Sequence, residues 1–242
     1  MFPRSSPPAL AAALASAAVL LTACSNDAET PSPAKEVVRA TRITEVADSD
    51  SPLTPGPYAM GIGSDRTDTP MVVIDVPAGY VGRGDGFEIF ADIDGPAFRH
   101  FDTWTVSEVA ENPCGETEYF DPGPTVDDLA DALAALPVWE TTPPAPRTID
   151  GHAGVFLELN VPDKMPAECH DRPRSWIDVH GSTQGIGPGK TQLLWIVDVD
   201  GHRLMLVAGY FPGRKGPTPQ QVDEMIQMAE GARFVDDDQI AP

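Results

Sequence analysis

The turn Asp200-Gly201 lies between two apolar runs of similar length, Leu193–Val199 and Arg203–Tyr210. Asp-Gly is a favoured centre for a two-residue β-hairpin loop, because both residues can adopt positive φ there. These residues therefore predict a long antiparallel hairpin, which strongly limits the folds open to this chain. A comparable dipeptide, Asp150-Gly151, precedes the run Val155–Val161 and predicts a second turn of this type.

Other segments rich in β-branched and aromatic residues lie between turn signals and predict further strands: Tyr58–Ile62, Met71–Val76, Phe87–Ile93, Phe98–Val109, Trp176–His180 and Ala232–Val235. Two segments instead space their apolar residues three and four apart, which predicts amphipathic helices at Thr125–Leu136 and Pro219–Glu230. Thr125 and Thr218 are suited to cap them. Hairpin signals outnumber strand–helix–strand units, so we predict an α+β fold with a mostly antiparallel sheet.

The N-terminal segment has the organisation of an export signal. Arg4 precedes an uncharged apolar run, Ala9–Leu21, which is too short to span a bilayer comfortably. The run ends in Leu21-Thr22-Ala23-Cys24, which resembles a bacterial lipobox. The resemblance implies that residues 1–23 are a lipoprotein signal peptide and that Cys24 is lipidated and becomes the mature N-terminus. The alternative is an ordinary secretory signal followed by a coincidental cysteine.

Residues 24–57 are predicted to be the lipidated cysteine and a flexible tether. Five prolines among Ser, Thr, Asp and Glu favour an extended, solvated chain. A single α+β domain is then expected at residues 58–242, with a short acidic tail at Asp236–Asp238. More than one acyl chain on Cys24 would hold the protein stably at the extracytoplasmic face of the cell membrane.

The charge of the chain limits its partners. It carries 37 acidic and 16 basic residues, for a net charge of −21. Such an acidic chain with no basic stripe is repelled by phosphates, which argues against nucleic acid as a partner. The same charge argues against electrostatic binding to anionic lipid headgroups, so the membrane contact is expected through the N-terminal lipid alone.

Cys114 and Cys169 are the two cysteines that remain beyond the lipobox. An even pair in an extracytoplasmic protein predicts a disulfide, here between two segments with the composition of loops. A metal site that uses Cys169 and His170 is the alternative. Zinc sites usually show paired ligands at short spacing, and neither cysteine has a second cysteine nearby, so we favour the disulfide.

Three segments together carry a family resemblance: the strand Val72–Tyr80 with its Pro77-Ala78-Gly79 end, the Leu193–Tyr210 hairpin and the terminal helix Pro219–Glu230. Their order resembles secreted actinobacterial lipoproteins of the LpqN type and, more distantly, the PsbP-like superfamily. The resemblance implies an antiparallel sheet covered by helices and a mostly non-catalytic binding or accessory role. It transfers no functional residue, and the segments Cys114–Pro124 and Gly181–Lys190 have no counterpart in it.

The sequence contains no familiar catalytic or metal motif. The five histidines (His100, His152, His170, His180 and His202) form no HExxH or HxxxH pair, and Gly-x-Ser-x-Gly is absent. Asp92-Ile93-Asp94-Gly95 and Asp198-Val199-Asp200-Gly201 lack the further ligands of a calcium loop and are better explained as turns. We therefore predict no catalytic, cofactor or metal residue.

The function predicted from these observations is a membrane-anchored, extracytoplasmic, non-enzymatic binding or accessory module of the cell envelope. Its partner is an unidentified protein or small-molecule ligand. One alternative is a hydrolase whose site is assembled from distant residues, and its mark would be a histidine such as His180 or His202 within reach of a hydroxyl such as Ser182, with an acid on its other nitrogen. A divalent-cation binder is the other alternative.

Overall fold

The computed structural model describes residues 36–45, 51–62, 69–114, 118–169, 173–213 and 215–241. They belong to a unit that runs from Lys35 to Pro242. The predicted signal peptide and Cys24 lie outside the described residues. The strands of the described residues are β1 (Val38–Arg39), β2 (Thr41–Arg42), β3 (Ser51–Pro52), β4 (Gly56–Met60), β5 (Met71–Val76), β6 (Tyr80–Gly82), β7 (Glu88–Ala91), β8 (Arg99–Trp104), β9 (Val106–Ala110), β10 (Tyr119–Phe120), β11 (Glu140–Thr141), β12 (Ala145–Ile149), β13 (His152–Asn160), β14 (Arg174–Asp178), β15 (Thr183–Gly185), β16 (Thr191–Val199), β17 (His202–Tyr210), β18 (Arg233–Val235) and β19 (Ile240–Ala241).

Two α-helices form where the apolar spacing predicts them, α1 (Val126–Ala134) and α2 (Pro219–Glu230). Each begins with a reciprocal cap. The Thr125 hydroxyl accepts the Asp128 N–H while the Asp128 carboxylate accepts the Thr125 N–H, and Thr218 and Gln221 repeat the arrangement in α2. Neither helix in the described part of the chain is long and apolar enough to cross a membrane.

The largest sheet has nine strands in the order β11-β13-β16-β17-β8-β7-β6-β3, with β12 also paired to β13. All its pairs are antiparallel. Its centre is the predicted hairpin, in which Val199 pairs with His202 across the turn. Asp200 and Gly201 both have positive φ, as do Asp150 and Gly151 between β12 and β13. Both turns were therefore correctly predicted.

Two four-stranded sheets flank this nine-stranded sheet, in the orders β10-β9-β14-β15 and β18-β5-β4-β2, and β1 pairs with β19 in a two-stranded ribbon. The pairs β1–β19 and β2–β4 are parallel, while the other pairs in these sheets are antiparallel. The predicted α+β class with mostly antiparallel pairing is thus confirmed.

The central strands β16, β17 and β8 of the nine-stranded sheet are buried on both faces, and alternate residues of these strands serve different cores. Trp195 and Leu206 face a cluster that includes Met225 of α2, whereas Leu194 and Val207 face a second cluster. The second cluster contains Leu129 of α1, together with Trp104 and Trp176. The sheet is therefore an inner layer, which explains why β16 reads as an almost continuous apolar run.

The predicted boundary between tether and domain at residue 57 is wrong. Described residues on its N-terminal side already form strands β1 to β3 and the start of β4. Ile43 is fully buried in the core around α2, and Leu53 packs in the same cluster. The folded unit therefore begins well before Tyr58. Short strands rich in proline and charge escaped prediction because their pairing partners lie far away in the sequence, as β1 and β19 show.

Candidate ligand-binding pocket

A cavity of about 890 Å³ opens where the nine-stranded sheet meets the β14–β15 hairpin. Its size is in the range of small-molecule sites. It is lined by side chains from β7 and β8, the β7–β8 loop, β15 and the segments around Lys190 and Phe211: Arg83, Glu88, Phe90, Ile93, Asp94, Gly95, Pro96, Phe98, His100, Thr183, Gln184, Gly185, Gly187, Lys190 and Phe211. We call this cavity the β7–β8 pocket.

The β7–β8 loop, residues 92–98, forms one rim of the pocket. Asp92 shapes it, because this residue has a φ of 53° and its Oδ2 accepts the Ala97 N–H at 2.7 Å. Its carbonyl also accepts the Gly95 N–H at 2.9 Å. Asp92, which was considered above with Asp94 as a calcium motif, therefore stabilises a turn. This turn presents Ile93 at the rim of the pocket.

The opposite rim depends on Asp178 at the end of β14. Its Oδ1 accepts the backbone N–H of His180 at 2.9 Å and that of Ser182 at 2.7 Å. These bonds close the tight connection between β14 and β15. Thr183 and Gln184 follow directly on β15 and line the pocket. Asp178 therefore positions this rim.

Aromatic rings form a continuous wall of the pocket. The Phe90 and Phe98 rings lie 6.2 and 5.9 Å from the His100 ring, at interplanar angles of 20° and 22°. Phe211 extends the wall, with its ring 6.0 Å from that of Phe98. Phe211 and Ile93 are two of the five large apolar side chains that are exposed in the described residues. Exposed apolar groups gathered at a cavity are typical of a binding surface.

Two cations lie against this wall. The Arg83 Cζ is 4.6 Å from the centre of the Phe90 ring, and the Lys190 Nζ is 5.8 Å from the centre of the Phe98 ring. Both distances permit cation–π attraction. Arg83 also forms an ion pair with Glu88 at 3.3 Å.

His100 lines the pocket from β8, and Asp102 lies two residues further along the same strand; both are buried. His100 Nδ1 is 3.2 Å from Asp102 Oδ2. Burial, and next the nearby charge of Lys190, lower the pKa of His100, so the ring is neutral at neutral pH. The Asp102 carboxylate favours the tautomer with its proton on Nδ1. Nε2 is then an acceptor, and it has no hydrogen-bond partner among the described residues.

The His100 ring lies over Gly209 of β17, its register partner. A Cβ on Gly209 would overlap the Nε2 atom, so glycine is required at this position for steric reasons. Gln192 of β16 is the next residue in the row, directly opposite Gly209. Gln192 is fully buried, and neither atom of its amide has a partner among the described residues.

Glu88 is paired in register with Asp102 and shares its face of the sheet. Burial, and next the charges of Asp102 and Asp85, raise the pKa of Glu88 to about 7, against the opposing effect of Arg83 and Lys190. The carboxyl group therefore exchanges its proton close to neutral pH, whereas an exposed glutamate is ionised there.

The predicted disulfide is confirmed. Cys114 and Cys169 are bonded, with their Cα atoms 4.0 Å apart, and both lie in turns. The bond connects the segment after β9 with the segment before β14. Because β9 and β14 are paired strands, the disulfide reinforces the sheet that supplies one side of the pocket. His170, the partner in the alternative metal site, lies outside the described residues.

The structure places the remaining predicted candidates at turns. Asp198 Oδ1 accepts the Gly201 N–H at 2.8 Å, as a hairpin requires. His180 is in the turn built by Asp178, and His152 packs edge-on against Phe234 with the ring centres 5.6 Å apart. Within the described ranges, no three His, Cys, Asp or Glu side chains are grouped closely enough to hold a metal ion.

Sequence analysis missed the His100–Asp102 pair and the pocket above it. The alternation of strand side chains was the available signal, because residues two apart on β8 face the same side of the sheet. It could not show that Phe90 and Gly209 lie on either side of His100, since those contacts come from β7 and β17. Comparisons of the chain with protein-family models, curated proteins and solved structures found no match.

Proposed function

We propose that this protein is a lipid-anchored, extracytoplasmic binding module of the cell envelope, and that the β7–β8 pocket is its ligand site. The observation that carries the proposal is the cavity of about 890 Å³ with its aromatic wall. A volume of this size is typical of small-molecule sites, and the lining combines aromatic rings with charged and polar side chains that can orient a ligand.

The sequence of the N-terminus supports the anchor and the compartment. Leu21-Thr22-Ala23-Cys24 after an apolar run is the lipobox pattern, so we propose that Cys24 carries the lipid. The disulfide between Cys114 and Cys169 fits an oxidising location outside the cytoplasm. A resemblance to LpqN-type and PsbP-like proteins, most of which bind rather than catalyse, is consistent with this role.

Binding of the neutral fluorescent dye Nile red tests the pocket. Phe211 and Phe120 offer a matched pair, because their exposures are 37% and 38% and Phe120 does not line the cavity. We expect the wild-type protein to bind the dye with a blue-shifted emission. Phe211→Ala should weaken binding by about tenfold, through loss of an aromatic contact, while Phe120→Ala should not. Equal effects of the two changes, or no saturable binding, would refute the pocket as the ligand site.

A hydrolase is the second candidate, and the His100–Asp102 pair favours it. The pair has the residue types of the base and of the acid that orients it, which are two of the three members of a nucleophilic triad, and Nε2 would have to turn away from Gly209 to act as the base. A substrate hydroxyl or a water molecule would have to provide the third. Hydrolysis of p-nitrophenyl esters above the buffer rate, abolished in a folded His100→Gln variant, would establish this function in place of simple binding.

A further inference from the structure

The wall of the β7–β8 pocket is suited to a flat ring. Phe90, Phe98 and His100 have ring centres about 6 Å apart and interplanar angles between 20° and 36°, so their faces are nearly aligned. Aligned faces offer a ligand ring an offset-stacked or tilted position, which aromatic groups prefer. His100 is neutral, so its ring adds no positive charge to the pocket. This ring therefore neither repels a cationic ligand nor attracts an anionic one.

The positive charge at the aromatic wall of the pocket comes from Arg83 and Lys190. Both are held against aromatic faces, at 4.6 Å over Phe90 and 5.8 Å over Phe98, and both line the cavity. The chain has 16 basic residues against 37 acidic ones, whereas the pocket lining has two cations for its two acids, Glu88 and Asp94, so the pocket is much less acidic than the molecule as a whole. Cations fixed beside an apolar wall recognise a carboxylate, sulfonate or phosphate, and the fork of Arg83 can do so through two bonds.

Glu88 is the group that a ligand anion would have to replace at Arg83. The charged groups that act on Glu88 are Asp102, Asp85, Arg83 and Lys190. Because burial raises the pKa of Glu88 to about 7, its carboxylate accepts a proton readily near neutral pH. Protonation removes the competing charge and leaves the Arg83 guanidinium to the ligand. Asp94 is the other acid of the lining, and it lies on the β7–β8 loop.

We propose that the β7–β8 pocket binds a small organic anion with a flat ring, stacking the ring on Phe90 and Phe98 and holding the anionic group between Arg83 and Lys190. The proposal rests on the proposed binding function and specifies its ligand class. It also predicts that binding takes up a proton, so the anion should bind more tightly at about pH 6 than at about pH 8.

Three probes with the same naphthalene ring test the ligand class by displacing Nile red: naphthalene-2-sulfonate, naphthalene-2-methanol and 2-naphthylmethylammonium. At about pH 6 we expect the sulfonate to bind at least about tenfold more tightly than the alcohol, which is the effect of one charge-assisted hydrogen bond. The ammonium probe should bind most weakly. Equal binding of the sulfonate and the alcohol, or tightest binding of the ammonium, would overturn the proposal.

Charge-removing variants locate the effect. Arg83→Gln and Lys190→Gln should each weaken the sulfonate by about tenfold and leave the alcohol unchanged. Arg147→Gln is the matched control, because Arg147 also lies over a phenylalanine, with its Cζ 5.4 Å from the Phe156 ring centre, but does not line the pocket. It should change neither probe. If all three variants bind the sulfonate as the wild type does, the proposed cation pair is wrong.

Glu88→Gln gives a test that loss of folding cannot mimic, since it predicts a gain. At about pH 8 this variant should bind the sulfonate more tightly than the wild type, and its affinity should no longer depend on pH between about 6 and 8. Weaker binding by Glu88→Gln would contradict the competition with Arg83. Failure of the ligand class remains distinguishable from failure of the function. If only the ligand class is wrong, Nile red still binds and its binding is still weakened by Phe211→Ala. If the binding function is wrong, Nile red does not bind and Phe211→Ala has no effect.

Discussion

Replacing Glu88 by glutamine should change how the stability of the fold depends on pH. Glu88 is only 17% exposed at its side chain and is paired in register with Asp102. Its pKa is about 7 in the folded protein, against a usual value of 4.5. Glutamine keeps the size and polarity of the side chain but cannot ionise, so the variant removes this titration alone.

The magnitude follows from the shift in pKa. A group that binds its proton more tightly when folded stabilises the fold below its unfolded pKa, and this contribution is lost as pH rises through the folded pKa. For Glu88 the loss falls between about pH 4.5 and pH 7. A shift of that size corresponds to about 3 kcal/mol of unfolding free energy. The wild type should therefore lose about 3 kcal/mol relative to Glu88→Gln across this window, and nothing further above it.

Urea unfolding followed by tryptophan fluorescence, at pH values from about 4 to 8.5, measures this difference directly. Subtracting the wild-type curve from the variant curve cancels the titration of the other acids, which both proteins share. Glu108→Gln, at an exposed position on β9, serves as the control for removing a carboxylate, and the difference for Glu88→Gln should exceed the difference for this control. A flat difference for Glu88→Gln, or one that falls as pH rises, would refute the burial and charge argument for this carboxyl group.

Three further predictions concern other parts of the molecule. Cys24→Ala should move the protein from the membrane to the soluble fraction of fractionated cells, and a wild type that is already soluble would exclude the anchor. Cys114→Ser should lower the unfolding free energy by roughly 4 kcal/mol, because the disulfide closes a loop with a sequence separation of 55 residues; unchanged stability under oxidising conditions would contradict this. Gly209→Ala should cost about 1–3 kcal/mol by displacing His100, whereas Gly84→Ala, with open space at its Cβ, should be nearly neutral in the same urea assay.

The parts of the fold that sequence analysis predicted are those determined by neighbouring residues. The Asp200-Gly201 hairpin forms because two adjacent residues accept positive φ, and α2 begins at Pro219 because Thr218 and Gln221 cap it. Pairing between distant segments has no such local signal. The parallel contact of Val38 with Ile240 joins segments separated by more than 200 residues. The tether boundary was wrong for this reason.

The pocket was harder to predict from the sequence than the fold, because its lining residues come from separate strands and loops. Phe90 and His100 become neighbours only through the register of β7 on β8, while Lys190 arrives from the segment before β16. The disulfide was predictable because the two cysteines that remain beyond the predicted lipobox leave only one pairing. The His100–Asp102 pair could not be found by such elimination, since the chain holds 37 acids and each of its five histidines has at least one acid within two residues.

The buried residues of strand β8 relate the stability of the fold to the proposed binding function. All six of its residues are buried, and an inner strand of a covered sheet is normally apolar on both faces. β8 instead buries His100 and Asp102 on one face, and Gln192 of β16 adds a buried amide on the same sheet. An unpartnered buried polar group costs about 1–3 kcal/mol, so apolar residues here would give a more stable protein. Departures of this kind from the pattern of a stable core occur at functional sites. His100 lines the β7–β8 pocket, with Asp102 and Gln192 close to it, and we infer that ligand binding, not folding, accounts for these departures.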